Sequence, residues 1–333
     1  MPTYDLAPAL ERIAANVARH AIAPGVYTRF TRAPHQATPN PYGCADASNI
    51  LYTLGCFPQD LATRQAFVST LQAFQDPASG LFCEGTHHDY HCTAHCVAAL
   101  ELFDARPVHP LSALRFLLAP GALENFLDSL DWMQTPWPQS HQGAGVYAAL
   151  ALEHNVPAEF HERYFAWLWD NADPATGFWK KDAVPAPGTE APGQLFPYLA
   201  GSFHYLFNIE YAHRPLRYPA AMVESCLRIW HDGHWPALGK TVNFAEIDWV
   251  FCLNRAVRRS GHRFADAQTA LHAFAAVFLP FVASLDYETS EAADDIHMLF
   301  GLTCCLAELQ SALPGVLPTI PPLRQVLDRR PFI

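Results

Sequence analysis

Charge is scarce in this sequence. Lys and Arg number 21 and Asp and Glu 32 among 333 residues, 16% together, for a net charge of −11. No long basic run occurs, so nucleic acid is not an expected partner. No uninterrupted apolar stretch reaches about 18 residues, so no membrane span is expected. The Gly-rich phosphate loops of nucleotide enzymes are missing, as is the Gly-x-Ser-x-Gly elbow of serine hydrolases. Residues 1–20 carry a weak amphipathic helix pattern containing Asp5, Glu11 and Arg12. They lack the basic start and apolar centre of a secretory leader. Cysteines are odd in number, nine, and most sit in apolar helical contexts (Cys92, Cys96, Cys252, Cys304, Cys305). That usage predicts buried, reduced thiols and a cytoplasmic location.

Apolar residues, by contrast, are plentiful. Hydrophobic residues make up 50% and aromatics 13%, which excludes a disordered chain and predicts a large core. The 28 prolines predict many short, stiff connections between helices.

The most informative feature is a repeat. Phe74-Gln75-Asp76-Pro77-Ala78-Ser79-Gly80-Leu81-Phe82 matches Asn171-Ala172-Asp173-Pro174-Ala175-Thr176-Gly177-Phe178-Trp179. In each, Asp-Pro starts a turn and Gly supplies a positive φ. The helices that follow end alike, at Phe103-Asp104-Ala105-Arg106-Pro107 and Tyr211-Ala212-His213-Arg214-Pro215. The unit extends along the chain as an amphipathic first helix, a loop, and an apolar second helix. First helices are predicted near 5–20, 61–75, 121–133, 158–170, 218–231 and 265–283. Second helices are predicted near 45–54, 90–103, 141–154, 195–211, 244–259 and 292–312.

The second helices are apolar almost all round, as in Ala144 to Leu152 and Ile296 to Leu309. A helix of that kind must be buried on every side. Six such helices ringed by six amphipathic ones predict an all-α protein, an (α/α)6 barrel or toroid of about six pairs, with an open solenoid as the alternative. The expectation is a single domain over 1–333. The Pro-rich tail 317–333 is expected to wrap the outside, with Asp328-Arg329-Arg330 solvated. In the barrel all inner helices run the same way, so their N-termini gather at one mouth, where a ligand site is the default expectation.

At fold level the sequence resembles the terpenoid-cyclase and protein-prenyltransferase toroid superfamily. Leu71-Gln72, Gly80-Leu81-Phe82, Thr93-Ala94 and Ala98-Ala99-Leu100 carry the resemblance, best over residues 64–107 and less closely over 162–215. It implies a toroid, a shape that also serves sugar epimerases, glycan lyases and glycoside hydrolases. The Asp-x-Asp-Asp acid of squalene-type cyclases is absent, Asp294-Asp295 being only a pair, and so is the aspartate-rich metal motif of class I terpene synthases. Asp89-Tyr90-His91-Cys92-Thr93-Ala94 resembles the segment bearing the late zinc-binding His of prenyltransferase β subunits, but no Asp-x-Cys partner accompanies it.

Chemistry-bearing residues stand at the start of each predicted inner helix: Cys44 and Asp46; His87, His88, Asp89, Tyr90, His91 and His95; Ser140, His141 and Gln142; Gln194, Tyr198, Ser202 and His204; Asn243, Glu246 and Asp248; Glu291, Asp294, Asp295 and His297. Each could be no more than a cap or a satisfied polar group. Together, several histidines at one mouth are a costly way merely to cap helices. His91 and His95 share a helix face at i, i+4. That spacing suits acid–base imidazoles. It also suits a metal, with Cys96 or Asp46 adding a ligand and zinc as the alternative cofactor, or simple packing. Glu246 and Asp248 flank Ile247, so only one of them faces the mouth easily. Trp137, Trp179, Phe178, Trp235, Trp249 and Tyr90 lie in or beside the mouth loops and suit sugar faces or isoprenoid chains; Trp179 and Trp235 could equally plug gaps between helix pairs.

These features predict an enzyme acting on a sugar or short glycan as an epimerase, lyase or hydrolase, without a cofactor. His91, His95, His141, Asp248 and Asp295 are its expected acid–base residues. Asp46, His87, His88, Tyr90, Trp137, Gln142, Trp179, His204, Glu246 and His297 are its expected substrate contacts. The alternatives are an isoprenoid-processing enzyme, and a binding or scaffold toroid with a plugged mouth and an exposed apolar patch. A small molecule or oligosaccharide is the expected partner.

Overall fold

The regular structure of the chain is almost all helical in a computed structural model, which describes residues 3–32, 34, 37–153, 155–233 and 238–332. The first helices are α1 (Ala7–Arg19), α3 (Leu61–Ala73), α5 (Ala122–Ser129), α7 (Ala158–Asn171), α9 (Pro219–Asp232) and α11 (Phe264–Ser284). The second helices are α2 (Pro41–Thr53), α4 (Asp89–Leu102), α6 (Pro136–Ala151), α8 (Phe196–Tyr211), α10 (Ala245–Ser260) and α12 (Ile296–Ala312). A short helix, α13 (Val326–Arg329), follows, and two small strands, β1 (Ala21–Ala23) and β2 (Val26–Tyr27), pair antiparallel after α1. Much of the proline is used at helix starts. It stands in the first two positions of α1, α2, α6, α8 and α9, where the missing N–H has no partner to lose.

The repeated turns agree atom by atom. Asp76 Oδ1 accepts from the N–H of Ala78 and Ser79 and from Ser79 Oγ, while Asp173 Oδ1 accepts from the N–H of Ala175 and Thr176 and from Thr176 Oγ1. Gly80 and Gly177 have φ of +77° and +76°. A Cβ on Gly80 would lie 2.1 Å from Pro110 O, and one on Gly177 2.5 Å from Met222 N. Each turn is then tied to the next second helix, Phe82 N–H donating to Thr93 Oγ1 and Trp179 N–H to Ser202 Oγ. Both of those helices end with a residue at positive φ, Asp104 and His213. The following N–H reaches back to Leu100 O or Ile209 O, a Schellman-type stop.

The second helices pack on one another in order. α2 touches α4, α4 touches α6, α6 touches α8, α8 touches α10, α10 touches α12, and α12 returns to α2. Residues 41–50 and 91–100 are buried without a break, as helices apolar all round require. Five of the first helices lie against one or two of these, α3 against α2 and α4, α7 against α6, α9 against α10, α11 against α10 and α12, and α1 against α2, while α5 packs on α7. Among the described residues one helix, Phe264–Ser284, has the length and hydropathy (1.4 over 18 residues) of a membrane span. Gln268, Thr269, His272 and Pro280 interrupt its apolar run, so a search for uninterrupted stretches misses it. Only 44% of that window is buried. Ala267, Leu271, Phe274, Phe278 and Val282 form its buried face.

The tail departs from the sequence expectation. Arg329 does pair at the surface with Glu101 and Asp104, but Arg330 and Phe332 are fully buried. The Phe332 ring lies 4.9 Å from that of His91 and 6.0 Å from that of His204. The tail is held there because α13 packs on α8 and α2 and because Asn208 Nδ2 donates to Pro331 O at 2.6 Å. All nine cysteines are free thiols, seven buried and two, Cys56 and Cys83, exposed.

Candidate functional site

The first turns of the second helices deliver side chains to one cavity of about 300 Å3. Its lining includes His87 and His91 from the start of α4, Trp137, Pro138 and His141 from α6, and His204 from the third turn of α8. It also includes Asn243, Phe244 and Asp248 at the start of α10, and His297 and Met298 at the start of α12. No Lys or Arg is among these lining residues.

Two groups of three meet at this lining, one of them through His297 alone. Asp46, His95 and His297 present ligand atoms within 4.8 Å of one another, all buried. Asp46 Oδ1 accepts from His95 Nε2–H at 2.8 Å, and its Oδ2 accepts from His297 Nδ1–H at 3.1 Å. Burial alone would raise the Asp46 pKa. The charge and hydrogen bonds of His297 and His95 outweigh it and hold the carboxylate below its ordinary range. His95, wholly enclosed, is pushed by burial to about 4, against the pull of Asp46. His297 turns Nδ1–H to Asp46, the orientation a carboxylate imposes on a histidine base.

The second group is His91, His141 and His204, again with ligand atoms within 4.8 Å. The Tyr42 hydroxyl is hydrogen-bonded to His91 Nδ1. Ser140 Oγ donates to Trp137 O at 2.6 Å, so it accepts from His204 Nδ1–H at 2.9 Å. That fixes the tautomer and leaves His204 Nε2 unprotonated. Burial first, and the neighbouring imidazoles second, hold His91 and His141 well below the ordinary histidine value. Burial takes His204 to about 3. At neutral pH these rings carry lone pairs rather than charge.

Asp248 is the opposite kind of carboxyl. Both its oxygens are buried without a hydrogen-bond partner. Burial, and then the charge of Glu246, push its pKa well above the ordinary value. Its environment favours the protonated form more than an ordinary aspartate's does.

The other anticipated residues are placed differently. Glu246 turns to the 239–241 loop, accepting from Thr241 Oγ1 at 2.6 Å. Asp295 caps α12 through His297 N–H and forms two hydrogen bonds to Arg29, at 2.9 and 2.8 Å, so it is a structural anchor and does not line the cavity. His88 is exposed and caps α4 through Tyr90 N–H, and Tyr90 packs its ring against His88 and Phe126. Gln142 bonds only Gln139. Trp179 is buried, its Nε1–H donating to Leu168 O at 2.8 Å, and so plugs a gap between helices. Trp249 is likewise buried against Trp230. Trp235 lies outside the described residues. The suggested ligand set His91, His95 and Cys96 does not converge. The two histidines fall into separate groups and Cys96 into neither, because i, i+4 spacing stacks side chains along the helix and leaves the rings 6.4 Å apart. Gly143 and Gly145 serve packing, since a Cβ on them would lie 2.2 Å from Tyr205 Oη or 2.9 Å from Tyr90 O.

Several participants were not anticipated. Glu84 is enclosed, paired with Arg29 and hydrogen-bonded to His87 Nδ1 at 3.2 Å. Tyr42 stands four residues before Asp46 on α2, its ring 4.9 Å from those of His87 and His95; that helical spacing was readable. Arg29 and Phe332 carried no local signal. No known protein family, curated protein or solved structure matches this chain.

Proposed function

We propose that the helix ring is an (α/α)6 toroid of six helix pairs, like the terpenoid-cyclase and prenyltransferase toroids in architecture, and that its mouth is an active site. The reaction is proton transfer on a sugar or short glycan, as in an epimerase, lyase or hydrolase. One observation carries this reading: a carboxylate behind the cavity histidine His297 is pushed one way, and a carboxyl in the cavity lining itself is pushed the other. Asp46 is ionised and orients His297, whose free Nε2 serves as base. Asp248 is protonated and serves as acid. Opposed environments of this kind are how acid and base roles are assigned at one pH.

The cavity sits at the low end of the ~300–1,000 Å3 range of small-molecule sites, which favours a compact substrate over a long chain. Its imidazoles, Asn243 and the flat face of Trp137 suit a polyhydroxylated ring. The absence of Lys and Arg among the described lining residues disfavours a diphosphate. The free thiols fit a cytoplasmic setting. A second reading has one observation in its favour: a neutral Asp248 beside Phe244 and Met298 is also what protonation of an isoprenoid alkene needs.

The test is a screen of aldoses, uronates and short glycans by proton NMR in heavy water, reading C–H exchange and new anomeric signals. A substrate should appear, and Asp248→Asn and His297→Gln should each lower kcat by about 10²–10⁴-fold. Inert sugars with turnover of polyprenyl substrates would install the second reading instead.

A further inference from the structure

We propose that His91, His141 and His204 form a binding site for one divalent transition metal of the zinc type. The inference goes beyond the proton-transfer reading, which assigns His297 and Asp248 and gives these three rings no proton to move. Three independent helices, α4, α6 and α8, bring the rings together, with centroids 4.5 Å apart for His91–His141 and 4.6 Å for His141–His204. Nothing in the hydrogen bonding explains the convergence. The Nδ1 atoms of His91 and His204 are occupied by Tyr42 and Ser140. Their Nε2 atoms, and both nitrogens of His141, make no hydrogen bond. All three rings line the cavity, so these nitrogens are open to a ligand that enters it.

The arrangement has the features of a metal site. Ligating histidines usually commit one ring nitrogen to a hydrogen-bonding partner, which fixes the tautomer, and offer the other. The Ser140 bond does this for His204, since the hydroxyl proton is already given to Trp137 O. Tetrahedral zinc with Zn–N of about 2.0–2.1 Å sets nitrogens about 3.3–3.4 Å apart. The present spread, within 4.8 Å, closes to that by small ring rotations. Three neutral imidazoles leave a fourth position open towards the cavity, the pattern of reactive rather than structural zinc. A metal held there would polarise a substrate oxygen. The neighbouring group of Asp46, His95 and His297 is a poorer candidate, because its carboxylate already accepts hydrogen bonds from both rings.

The experiment uses tag-free full-length protein, stripped with a chelator, titrated with Zn2+ by calorimetry and with Co2+ by visible absorption. No substrate is needed, so the result is independent of the proton-transfer reading. We expect one metal per chain and the intense visible bands of four- or five-coordinate Co2+. His141→Gln is the key variant. His141 makes no hydrogen bond, so the fold should survive, and circular dichroism checks it. This variant should lose more than the ~10–100-fold in affinity that removal of an outer-shell partner costs. Ser140→Ala should fall within that 10–100-fold range, and His88→Ala should bind as the parent does. Failure of the parent to take up one equivalent overturns the proposal, and so does unchanged binding by a folded His141→Gln.

Discussion

Asp248→Asn isolates the most unusual carboxyl in the molecule. Both oxygens of Asp248 are buried and unpartnered, and an unsatisfied buried polar group costs about 1–3 kcal/mol, more when charged. Asn keeps the shape and removes the titration. Asp248 has its pKa raised on folding, so the native state holds its proton where the unfolded chain has released it. Stability from this group is therefore full below the unfolded value near 3.9 and declines as pH rises towards the folded value. One proton sets a ceiling of about 1.4 kcal/mol per pH unit on that decline. Any fixed cost of the unpaired amide is the same at every pH and drops out of the comparison. Glu246, Cys252 and Cys305 interact with Asp248 but remain in both proteins. Urea melts of the two proteins at pH 4, 5.5, 7 and 8.5 measure the difference. The variant should gain on the parent steadily as pH rises, and its gain should continue beyond pH 5.5. A difference independent of pH would mean that Asp248 ionises normally, and the assignment of an acid to this site would be withdrawn.

Two further substitutions probe the frame around the site. Arg330 is fully buried, none of its three nitrogens has a hydrogen-bond partner, and burial lowers its pKa to about 10; Arg330→Met should raise stability by about 1–4 kcal/mol in urea melts, and a loss would show that an attraction to Asp46 outweighs the burial cost. Gly80→Ala combines a positive φ with a Cβ 2.1 Å from Pro110 O, so it should cost more than the ~1 kcal/mol scale of a simple glycine replacement; a thermal melt equal to the parent's would show that the 76–80 turn yields easily.

The sequence by itself determined the helical character, the twelve long helices to within a few residues, and the repeated Asp-Pro…Gly turn. These features are local. Apolar periodicity marks a helix whatever it packs on, and glycine takes the φ of about +77° at position 80 without strain. Weaker forms of the turn appear only in the structure. Asp131 accepts from Gln134 N–H, and Asp286 from the N–H of Glu288 and Thr289, without the Asp-Pro…Gly signature. The gathering of His87, His91, His141, His204, Asp248 and His297 around one cavity follows from reading what stands at the start of each inner helix.

Tertiary structure decided which of those residues do what. His91 and His95 are neighbours by spacing, yet they belong to different groups, because each ring turns to the partner another helix supplies, Tyr42 for one and Asp46 for the other. Asp295 looks like a catalytic carboxylate until Arg29, 266 positions away, claims both its oxygens. The tail reads as a surface strap, but Phe332 ends up against His91 and His204. Asp46 and Asp248 are the same residue type on similar helices. Only their surroundings, two histidines for one and no hydrogen-bond partner for the other, push the first carboxyl's pKa down and the second's up.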